Sequence, residues 1–264
     1  MDYAHPKGGK PANVVDLGLQ DEAGKFVGWS GGARSSVFVS AYEATPGYAC
    51  KETNPGRWGI LVGAYHIPAE GLPVEYTITF TSKKAGWLFG DLHTHTNASD
   101  GQYPLYELAQ KAKRIGLDFL GPANHNNYTD NINPPRIPGL TLIPAVEWTH
   151  YKGHINLFGV PMPFQNSFVA NTEEEMLALV AAAKAAGALV SVNHPKDAGC
   201  PYLWQSRDVF DAVEVWNGPM RPANMRAIAW WEALLQNGRR LPLVGGSDYH
   251  RTLGPVRLGR PVTA

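Results

Sequence analysis

From residue 86 onward, short apolar segments of strand length alternate with amphipathic helices. Such an alternation is typical of α/β proteins, in which helical crossovers join parallel strands. The predicted strands are 87–91, 117–121, 141–146, 154–160, 188–192, 212–216 and 242–246. Seven strands of this kind predict a parallel sheet that closes into a barrel, so the expected fold class is α/β.

Three helices are indicated by their start and stop signals. The first is predicted over 104–116, with proline at its first position and glycine at its end. The second is predicted over 172–187 and opens with a capping box of Thr172 and Glu175. The third is predicted over 222–238. The expected apolar faces are Leu105, Leu108, Ala109, Ala112 and Ile115 in the first helix, and Met225, Ile228, Ala229 and Leu235 in the third.

Residues 1–85 have no helical period and carry frequent Gly and Pro turns. Apolar and hydroxyl side chains alternate over 36–41 and over 76–81, which predicts two half-buried strands. We therefore predict a small N-terminal β-sandwich domain over 1–85 and a second domain over 86–264.

Composition excludes several classes of function. The 264 residues carry 23 basic and 23 acidic side chains, so the charge footprint of a duplex-binding protein is absent. No apolar run is long enough for a membrane span and no secretory signal is visible, so a cytoplasmic location is expected. Cys50 and Cys200 are expected to be free thiols, neither of them a ligand or a nucleophile.

Histidines and carboxylates stand at or near the ends of the predicted strands. They are His93, His95, Asp100, His125, Glu147, His154, His194, Asp248 and His250. Residues i and i+2 of a strand share a face, so His93 and His95 can point at one ion. The carboxyl edge of a barrel is where sites assemble, and imidazole with carboxylate is a metal-ligand set.

Each of these residues has an ordinary explanation when it is taken alone; Asp100, for example, precedes a glycine and could form a turn. Their coincidence at five strand ends predicts a metal site. Nine ligands exceed the needs of one ion, so the expected cofactors are two or three divalent ions of Zn, Mn or Fe. Glu147 is the best candidate for a bridging carboxylate, and ions so close together favour hydrolysis. A serine hydrolase using Ser247 is disfavoured because no GxSxG motif occurs.

The segments GDLHTHTNASDG, ANHN, AVEWTHYKGHINLFG, SVNHP and GGSDYH resemble the PHP (polymerase and histidinol phosphatase) superfamily, and most closely its carbaryl-hydrolase-like (CehA/McbA-like) branch. The resemblance covers about residues 87–250 and implies a distorted (β/α)7 barrel. It also implies phosphoester hydrolysis through attack by a metal-bound hydroxide, whereas the related branch acts on an aryl carbamate.

The resemblance further implies how the ligands are shared among the ions. One ion would take His93, His95, Glu147 and Asp248, a second Glu147, His154 and His194, and a third Asp100, His125 and His250. The family motif around His125 usually reads Thr-Asp-His-Asn, but this chain has Asn124 before the histidine. The loss of that charge predicts a more weakly held third ion.

Further residues are candidates for contact with the substrate. The catalytic candidates are Glu147, Asp248, His150 and Arg251, and the candidate substrate-binding residues are Lys196, Arg221, Arg136 and Asn217. His150 could protonate a leaving group. Trp148, Tyr151, Trp216 and Tyr249 also crowd the strand ends and would suit an aryl group.

The predicted function is that of a metal-dependent hydrolase, a phosphoesterase in the first instance, acting on a small anionic ester. A carboxylic-ester or aryl-carbamate hydrolase with the same metal site is the alternative. A non-catalytic metal-binding module is a third possibility, and the oligomeric state is left open.

Overall fold

The computed structural model describes residues 13–41, 43–81, 86–165 and 167–264. The chain divides into two compact units, Met1–Lys83 and Lys84–Ala264. The boundary expected after residue 85 falls at the segment 82–85, which lies outside the described residues. The division into domains 1–85 and 86–264 therefore stays a prediction.

The first unit contains a three-stranded antiparallel sheet. Its strands are β1 (Val14–Gln20), β2 (Phe26–Trp29) and β3 (Gly59–His66), in the order β2-β1-β3. A short 3-10 turn, Gly31–Ala33, follows β2. Val27, Ala44 and Tyr48 form the buried core of the unit, and the Tyr48 hydroxyl donates to the Leu17 carbonyl (2.8 Å).

The two strands predicted in this unit are wrong, and the sandwich is not confirmed. Within residues 13–41 and 43–81 the strands form one sheet, so the two facing sheets of a sandwich are not confirmed. The segment 36–41 forms an isolated bridge, Val39 to Ala44, because a tight turn returns the chain at once. The segment 76–81 forms no strand, and Phe80 is 85% exposed. Alternation alone does not make a strand when no neighbouring strand completes its hydrogen bonds.

The second unit is mixed α/β, with a sheet that nearly closes into a barrel. Its strands are β4 (Gly90–Thr94), β5 (Phe119–His125), β6 (Thr141–Leu142), β7 (Ala145–His150), β8 (Gly153–Phe158), β9 (Leu189–Val192), β10 (Ala212–Asn217) and β11 (Leu243–Gly246). Their order is β11-β10-β9-β8-β7-β5-β4, with β6 beside β5. Thr94 and Tyr249 form a parallel bridge that links the two edges. This architecture confirms the predicted α/β barrel class.

One strand departs from the expected parallel arrangement. Only Tyr151 and Lys152 separate β7 from β8, which is too short for a crossover, so the two strands form an antiparallel hairpin. β8 also pairs antiparallel with β9. As a consequence, the beginning of β8 lies at the same edge of the sheet as the carboxyl ends of its neighbours.

Four helices accompany the sheet. They are α1 (Leu105–Arg114), α2 (Thr129–Ile132), α3 (Glu173–Ala185) and α4 (Pro222–Gln236). The capping box at the start of α3 is confirmed. In α1 the predicted face is buried apart from Ile115, which lies beyond the helix and is 55% exposed.

The predicted apolar face of α4 is wrong in part, since Ile228 and Leu235 are half-buried and Ile228 packs against the core. The buried residues of this helix are Asn224, Ala227 and Leu234, whereas Met225 is 51% exposed and Ala229 is also exposed. The Asn224 amide turns inward because it donates to the Pro219 carbonyl (3.3 Å). The buried side of α4 thus includes a polar side chain with a local hydrogen-bond partner, which hydrophobicity alone does not indicate.

None of the helices formed by the described parts of the chain has the length and apolar character that crossing a bilayer requires.

Candidate metal centre

The structure gathers all nine predicted ligands into one cluster at the carboxyl edge of the barrel. Each of them lies within 4 Å of another member of the set, counted between imidazole nitrogen and carboxylate oxygen atoms. His93 lies in β4 and His95 directly after it, while His125 ends β5. That these side chains hold metal ions stays a prediction.

Glu147 occupies the centre of the cluster. Its Oε1 atom lies 3.0 Å from His154 Nδ1 and 3.2 Å from both His93 Nε2 and His194 Nε2. Its Oε2 atom lies 2.9 Å from His125 Nδ1 and 3.6 Å from His95 Nε2. Ligands that share an ion at about 2.0–2.2 Å stand roughly 3–3.5 Å apart, so this carboxylate is placed to bridge ions.

The antiparallel strand β8 explains why His154 belongs to the cluster although it begins a strand rather than ends one. Thr149 of β7 pairs with His154, so the histidine lies across from the carboxyl end of β7. The Thr149 hydroxyl lies 2.6 Å from His125 Nδ1, which places the same face of β7 against the cluster.

Two of the candidate ligands have unusual backbones. The φ angles of His194 and Asp248 are +27° and +56°, in the left-handed region that residues with a Cβ rarely adopt. Such conformations persist when the surrounding structure over-determines them, and they cluster at functional sites. The Asp248 N–H donates to the His93 carbonyl (2.8 Å), and the His95 N–H donates to the Tyr249 carbonyl (2.9 Å). These hydrogen bonds fix the segment after β11 against β4.

The cluster has a buried part and a more exposed part. The side chains of His93, His95 and Glu147 are at most 1% exposed. The side chain of Asp100, by contrast, is 55% exposed. Its Oδ1 atom lies 3.6 Å from His125 Nε2 and 3.3 Å from His250 Nε2. His95, Asp100, His125 and His250 together offer four ligand atoms within 4.8 Å of one another. Asp100, His125 and His250 are the three residues that the resemblance assigns to a third ion, and His95 lies beside them.

Charge inside the cluster shifts several pKa values. Burial alone would raise the pKa of Glu147, but the surrounding imidazoles hold it well below its usual range. Burial lowers the pKa of His93, and the carboxylates of Glu214, Glu147 and Asp248 more than offset this effect, so the net shift is upward. Burial lowers the pKa of His95 to about 4. The lowered pKa of Glu147 favours its ionised form, whose charge a protonated imidazole or a metal cation would balance.

The donor atoms present fit divalent ions. His93 Nε2, His95 Nδ1 and Glu147 Oε2 are buried and make no hydrogen bond. Buried polar atoms that make no hydrogen bond are costly, and metal cations bound within the cluster would satisfy such atoms. Imidazole and carboxylate together suit Zn, Mn or Fe, and the number and identity of the ions stay predictions.

A second layer of polar residues supports the ligands, and the sequence analysis missed it. Glu214 of β10 is 1% exposed, and its Oε1 atom lies 2.8 Å from His93 Nδ1. Its Oε2 atom accepts from the His194 N–H (3.1 Å) and from Asn217 Nδ2 (3.2 Å). A carboxylate on the far nitrogen of a metal-binding histidine fixes the ring and directs the other nitrogen to the ion. The available signal was a lone acidic residue inside an apolar strand.

Three more residues complete this layer. Asn193 Nδ2 donates to Glu147 Oε1 (2.9 Å) and so orients the central carboxylate. Asp91 is fully buried and accepts from the backbone N–H groups of Ser247 (3.0 Å) and Gly259 (2.8 Å). Gly246 permits the close approach of Glu214, because a Cβ at this position would lie 2.6 Å from Glu214 Oε1.

The departure from the family motif at Asn124 has a clear structural setting. Its Oδ1 atom accepts from the Thr96 N–H (2.8 Å), and its Nδ2 atom donates to Asp130 Oδ2 (2.9 Å). An aspartate at position 124 could not donate to Asp130. The neutral amide therefore suits this neighbour, and it holds the loop that leads to Asp100.

The candidate substrate residues have other partners. Arg221 Nη2 donates to Asn217 Oδ1 (2.6 Å), and its Nη1 atom lies 3.5 Å from Asp197 Oδ2. Asn217 is buried and continues this network to Glu214. The Lys196 ammonium lies 5.3 Å from the ring centre of Trp230. These contacts do not point the three side chains at the cluster, and their substrate roles stay predictions.

The remaining catalytic and binding candidates are less favourably placed. His150 lies two residues beyond Trp148, on the face of β7 opposite Glu147. Its ring stacks on Trp148 at 5.5 Å, and its Nδ1 atom accepts from the Lys152 N–H (3.1 Å). A leaving-group acid is not expected there. Arg136 and Arg251 are exposed.

The aromatic residues at the strand ends do not form a common pocket wall. Trp148 is 1% exposed and packs in the core, while Tyr151 is 72% exposed. Trp216 Nε1 donates to the Gly218 carbonyl (3.1 Å), and Tyr249 is buried. Their placement gives no specific support to an aryl substrate.

Comparison with known proteins gives distant structural likenesses. No protein-family profile and no curated protein sequence matches the chain. A two-domain protein from Bacteroides vulgatus ATCC 8482 containing a predicted PHP-like metal-dependent phosphoesterase is similar at 23% identity and a TM-score of 0.45, over 62% of this chain and 52% of that one. This chain thus spans about half of that protein.

Two further solved structures are similar to this chain. A candidate metal-dependent phosphoesterase from Bifidobacterium adolescentis ATCC 15703 shows 17% identity and a TM-score of 0.45, over 66% of this chain and 91% of that one. An amidohydrolase from Chromobacterium violaceum, with bound sulfate and no metal, shows 15% identity and a TM-score of 0.42, over 63% and 89%. At such TM-scores these likenesses carry no functional conclusion.

Proposed function

We propose that this chain is a metal-dependent hydrolase of the PHP superfamily, in its carbaryl-hydrolase-like branch, and that it hydrolyses phosphoesters. The observation that carries the proposal is Glu147, whose carboxylate lies within 4 Å of five imidazoles contributed by four strands or the residues directly after them. An arrangement built only for stability would not place so many titratable groups in one buried space.

Divalent ions bound in this cluster would activate a water molecule and stabilise charge on the attacked group, which is the chemistry of hydrolysis. The residues of the chain have defined tasks in this proposal. Glu147 would bridge ions. Asp248, whose Oδ1 atom lies 3.0 Å from His95 Nε2 and 3.5 Å from His93 Nε2, would be a further ligand of the most buried ion. Glu214 and Asn193 would keep the ligands oriented.

The choice of phosphoesters follows from the number of ligand positions. Sites with two or more ions can stabilise both the attacking and the leaving oxygen of a phosphoryl group, as in phosphatases and nucleases. The cluster offers a buried part around Glu147 and a more exposed part around Asp100, so an ester could meet more than one ion.

The test compares metal-loaded protein on four aryl substrates that release the same chromophore: p-nitrophenyl phosphate, bis-p-nitrophenyl phosphate, p-nitrophenyl acetate and a p-nitrophenyl carbamate. Zn²⁺, Mn²⁺ and Fe²⁺ are added separately to protein stripped with chelator. Glu147→Gln serves as the matched control, because it preserves the shape of the side chain and removes its charge.

We expect activity on one of the two phosphate esters. Chelator should abolish this activity, and the Glu147→Gln variant should lack it. Activity confined to the acetate or the carbamate would move the assignment to a carboxylic-ester or carbamate hydrolase. A metal-loaded protein inert on all four substrates would support a non-catalytic metal-binding module instead.

A further inference from the structure

Cys200 lies beside the cluster, in the loop that follows β9. It is a partly buried free thiol, and its sulfur lies 3.4 Å from His194 Nδ1. Cys200, His154 and His194 offer three ligand atoms that all lie within 4.8 Å of one another. The rings of the two histidines meet edge to face, with 5.0 Å between their centres.

The geometry around the sulfur suits a shared ion. With a metal–sulfur distance of about 2.3 Å and a metal–nitrogen distance of about 2.0–2.1 Å, a tetrahedral site places sulfur and nitrogen ~3.5 Å apart. The observed 3.4 Å between Cys200 Sγ and His194 Nδ1 is close to this value. His194 turns its other nitrogen, Nε2, to Glu147 at 3.2 Å, so the sulfur lies on the side of the ring away from Glu147.

A carboxylate is also at hand. Asp197 Oδ1 lies 3.9 Å from Cys200 Sγ, and the other oxygen of Asp197 lies 3.5 Å from Arg221 Nη1. The arginine thus holds Asp197 close to the thiol. A thiolate, imidazoles and a nearby carboxylate form a ligand set with soft character, unlike the nitrogen and oxygen set around Glu147.

We propose that Cys200, His154 and His194 form a further metal site, selective for thiophilic divalent ions such as Zn²⁺ or Cd²⁺ over Mn²⁺ or Mg²⁺. On binding, the sulfur–metal bond forms and the thiol proton passes to solvent. His194 would bind through Nδ1, and because its Nε2 faces Glu147, an ion on each nitrogen would also release the ring proton to solvent. This proposal rests on the proposed metal-dependent function, since both histidines belong to the same cluster. It departs from the expectation that neither cysteine is a ligand.

The experiment uses the full chain with Cys50→Ser, which leaves Cys200 as its sole thiol. Cys50 is exposed and belongs to the first unit, so this change alters no residue of the second unit. The rate of alkylation of Cys200 by iodoacetamide is measured in metal-free protein and during titration with Zn²⁺ or Mn²⁺. Bound metal is quantified in the same samples.

A second measurement separates ligation from mere shielding. The same protein is loaded with Co²⁺, and its near-ultraviolet spectrum is searched for a thiolate-to-cobalt charge-transfer band. Cys200→Ser in the same background is the control, because a hydroxyl preserves the size of the side chain but does not give this band.

The proposal expects Zn²⁺ to slow alkylation by at least about tenfold, because the metal-bound sulfur is no longer a free nucleophile. It also expects protection at lower concentrations of Zn²⁺ than of Mn²⁺, and a charge-transfer band that Cys200→Ser abolishes. Bound zinc and cobalt with an unchanged alkylation rate and no band would overturn the thiolate site and leave the proposed hydrolase standing. Failure to bind either metal anywhere would overturn both.

Discussion

The two units of the chain differ in the basic side chains that pair with their buried or partly buried carboxylates. In the first unit, the Lys51 ammonium lies 3.0 Å from Asp21 and 3.4 Å from Glu22, so the acidic groups have a permanent cation. In the second unit, histidine is the basic side chain that meets Glu147, Asp248 and Glu214 within 4 Å among the described residues.

The difference separates a structural use of charge from a functional one. An ion pair with lysine is complete at every ordinary pH. A carboxylate surrounded by imidazoles is balanced only when protons or metal ions are bound, and it is costly otherwise. We therefore expect metal to stabilise the second unit and to leave the first unit unaffected.

The largest effect is expected for Glu147→Gln. The change removes the central charge, so we expect kcat/KM to fall by at least about a hundredfold, since even the outer partners of metal ligands are worth tenfold to a hundredfold. Metal-free protein should also lose Tm at neutral pH, because the lowered pKa of Glu147 means that its charge stabilises the folded state. A variant that keeps its activity would contradict the central role of Glu147.

Glu214→Gln should have the next largest effect. Glutamine can still meet His93 Nδ1 but carries no charge, so we expect metal affinity to fall about tenfold to a hundredfold with a similar loss of kcat/KM. Competition with a chromophoric chelator measures the affinity. The matched control is Asp211→Asn, another carboxylate of the second unit, which lies 2.7 Å from the Lys184 ammonium and accepts from the Val190 N–H (2.9 Å). Equal losses of metal affinity in the two variants would remove the special role of Glu214.

Asp100→Asn should cost less than either change. This side chain is 55% exposed and belongs to the outer group of ligands, so we expect a loss of kcat/KM of about tenfold or less. Metal analysis should show fewer bound ions while the buried ions are retained. A loss equal to that of Glu147→Gln would show that all the ions are held as one unit.

Asp21→Asn should have the smallest effect, and it tests the first unit. The N–H of Lys25 and then the Lys51 ammonium hold the pKa of Asp21 below its usual value. A lowered pKa stabilises the folded state above the ordinary pKa of 3.8 and ceases to do so as the pH falls toward the folded value. The variant should therefore be less stable than the natural protein at neutral pH, and the gap should close in acid. Denaturation midpoints and amide exchange in β1 and β2 at both pH values would show it, and a gap that widens in acid would contradict the sign.

The ligands of the candidate site could be predicted because chemistry and spacing coincide in the sequence. His93 and His95 share a face by strand periodicity, and the other ligands recur at strand ends, where a barrel collects them. The antiparallel course of β8 was missed, although only two residues separate it from β7. His154 joined the site for that reason.

The supporting residues could not be predicted, because their roles depend on contacts between distant strands. Glu214 and His93 are separated by 121 positions, and nothing local marks the pair. The same limit applies to His150, whose position near Glu147 in the sequence concealed that it lies on the opposite face of β7. In the first unit, the alternation of apolar and hydroxyl side chains over 76–81 predicts a strand, but no strand among the described residues pairs with this segment.

The most direct test of the central claim is diffraction from crystals of the metal-loaded protein, measured on both sides of the absorption edge of the added metal. We predict anomalous peaks within coordination distance of the Glu147 carboxylate, with His93, His95, His154 and His194 turned toward them. Full-occupancy metal elsewhere in the chain, and none beside Glu147, would contradict it.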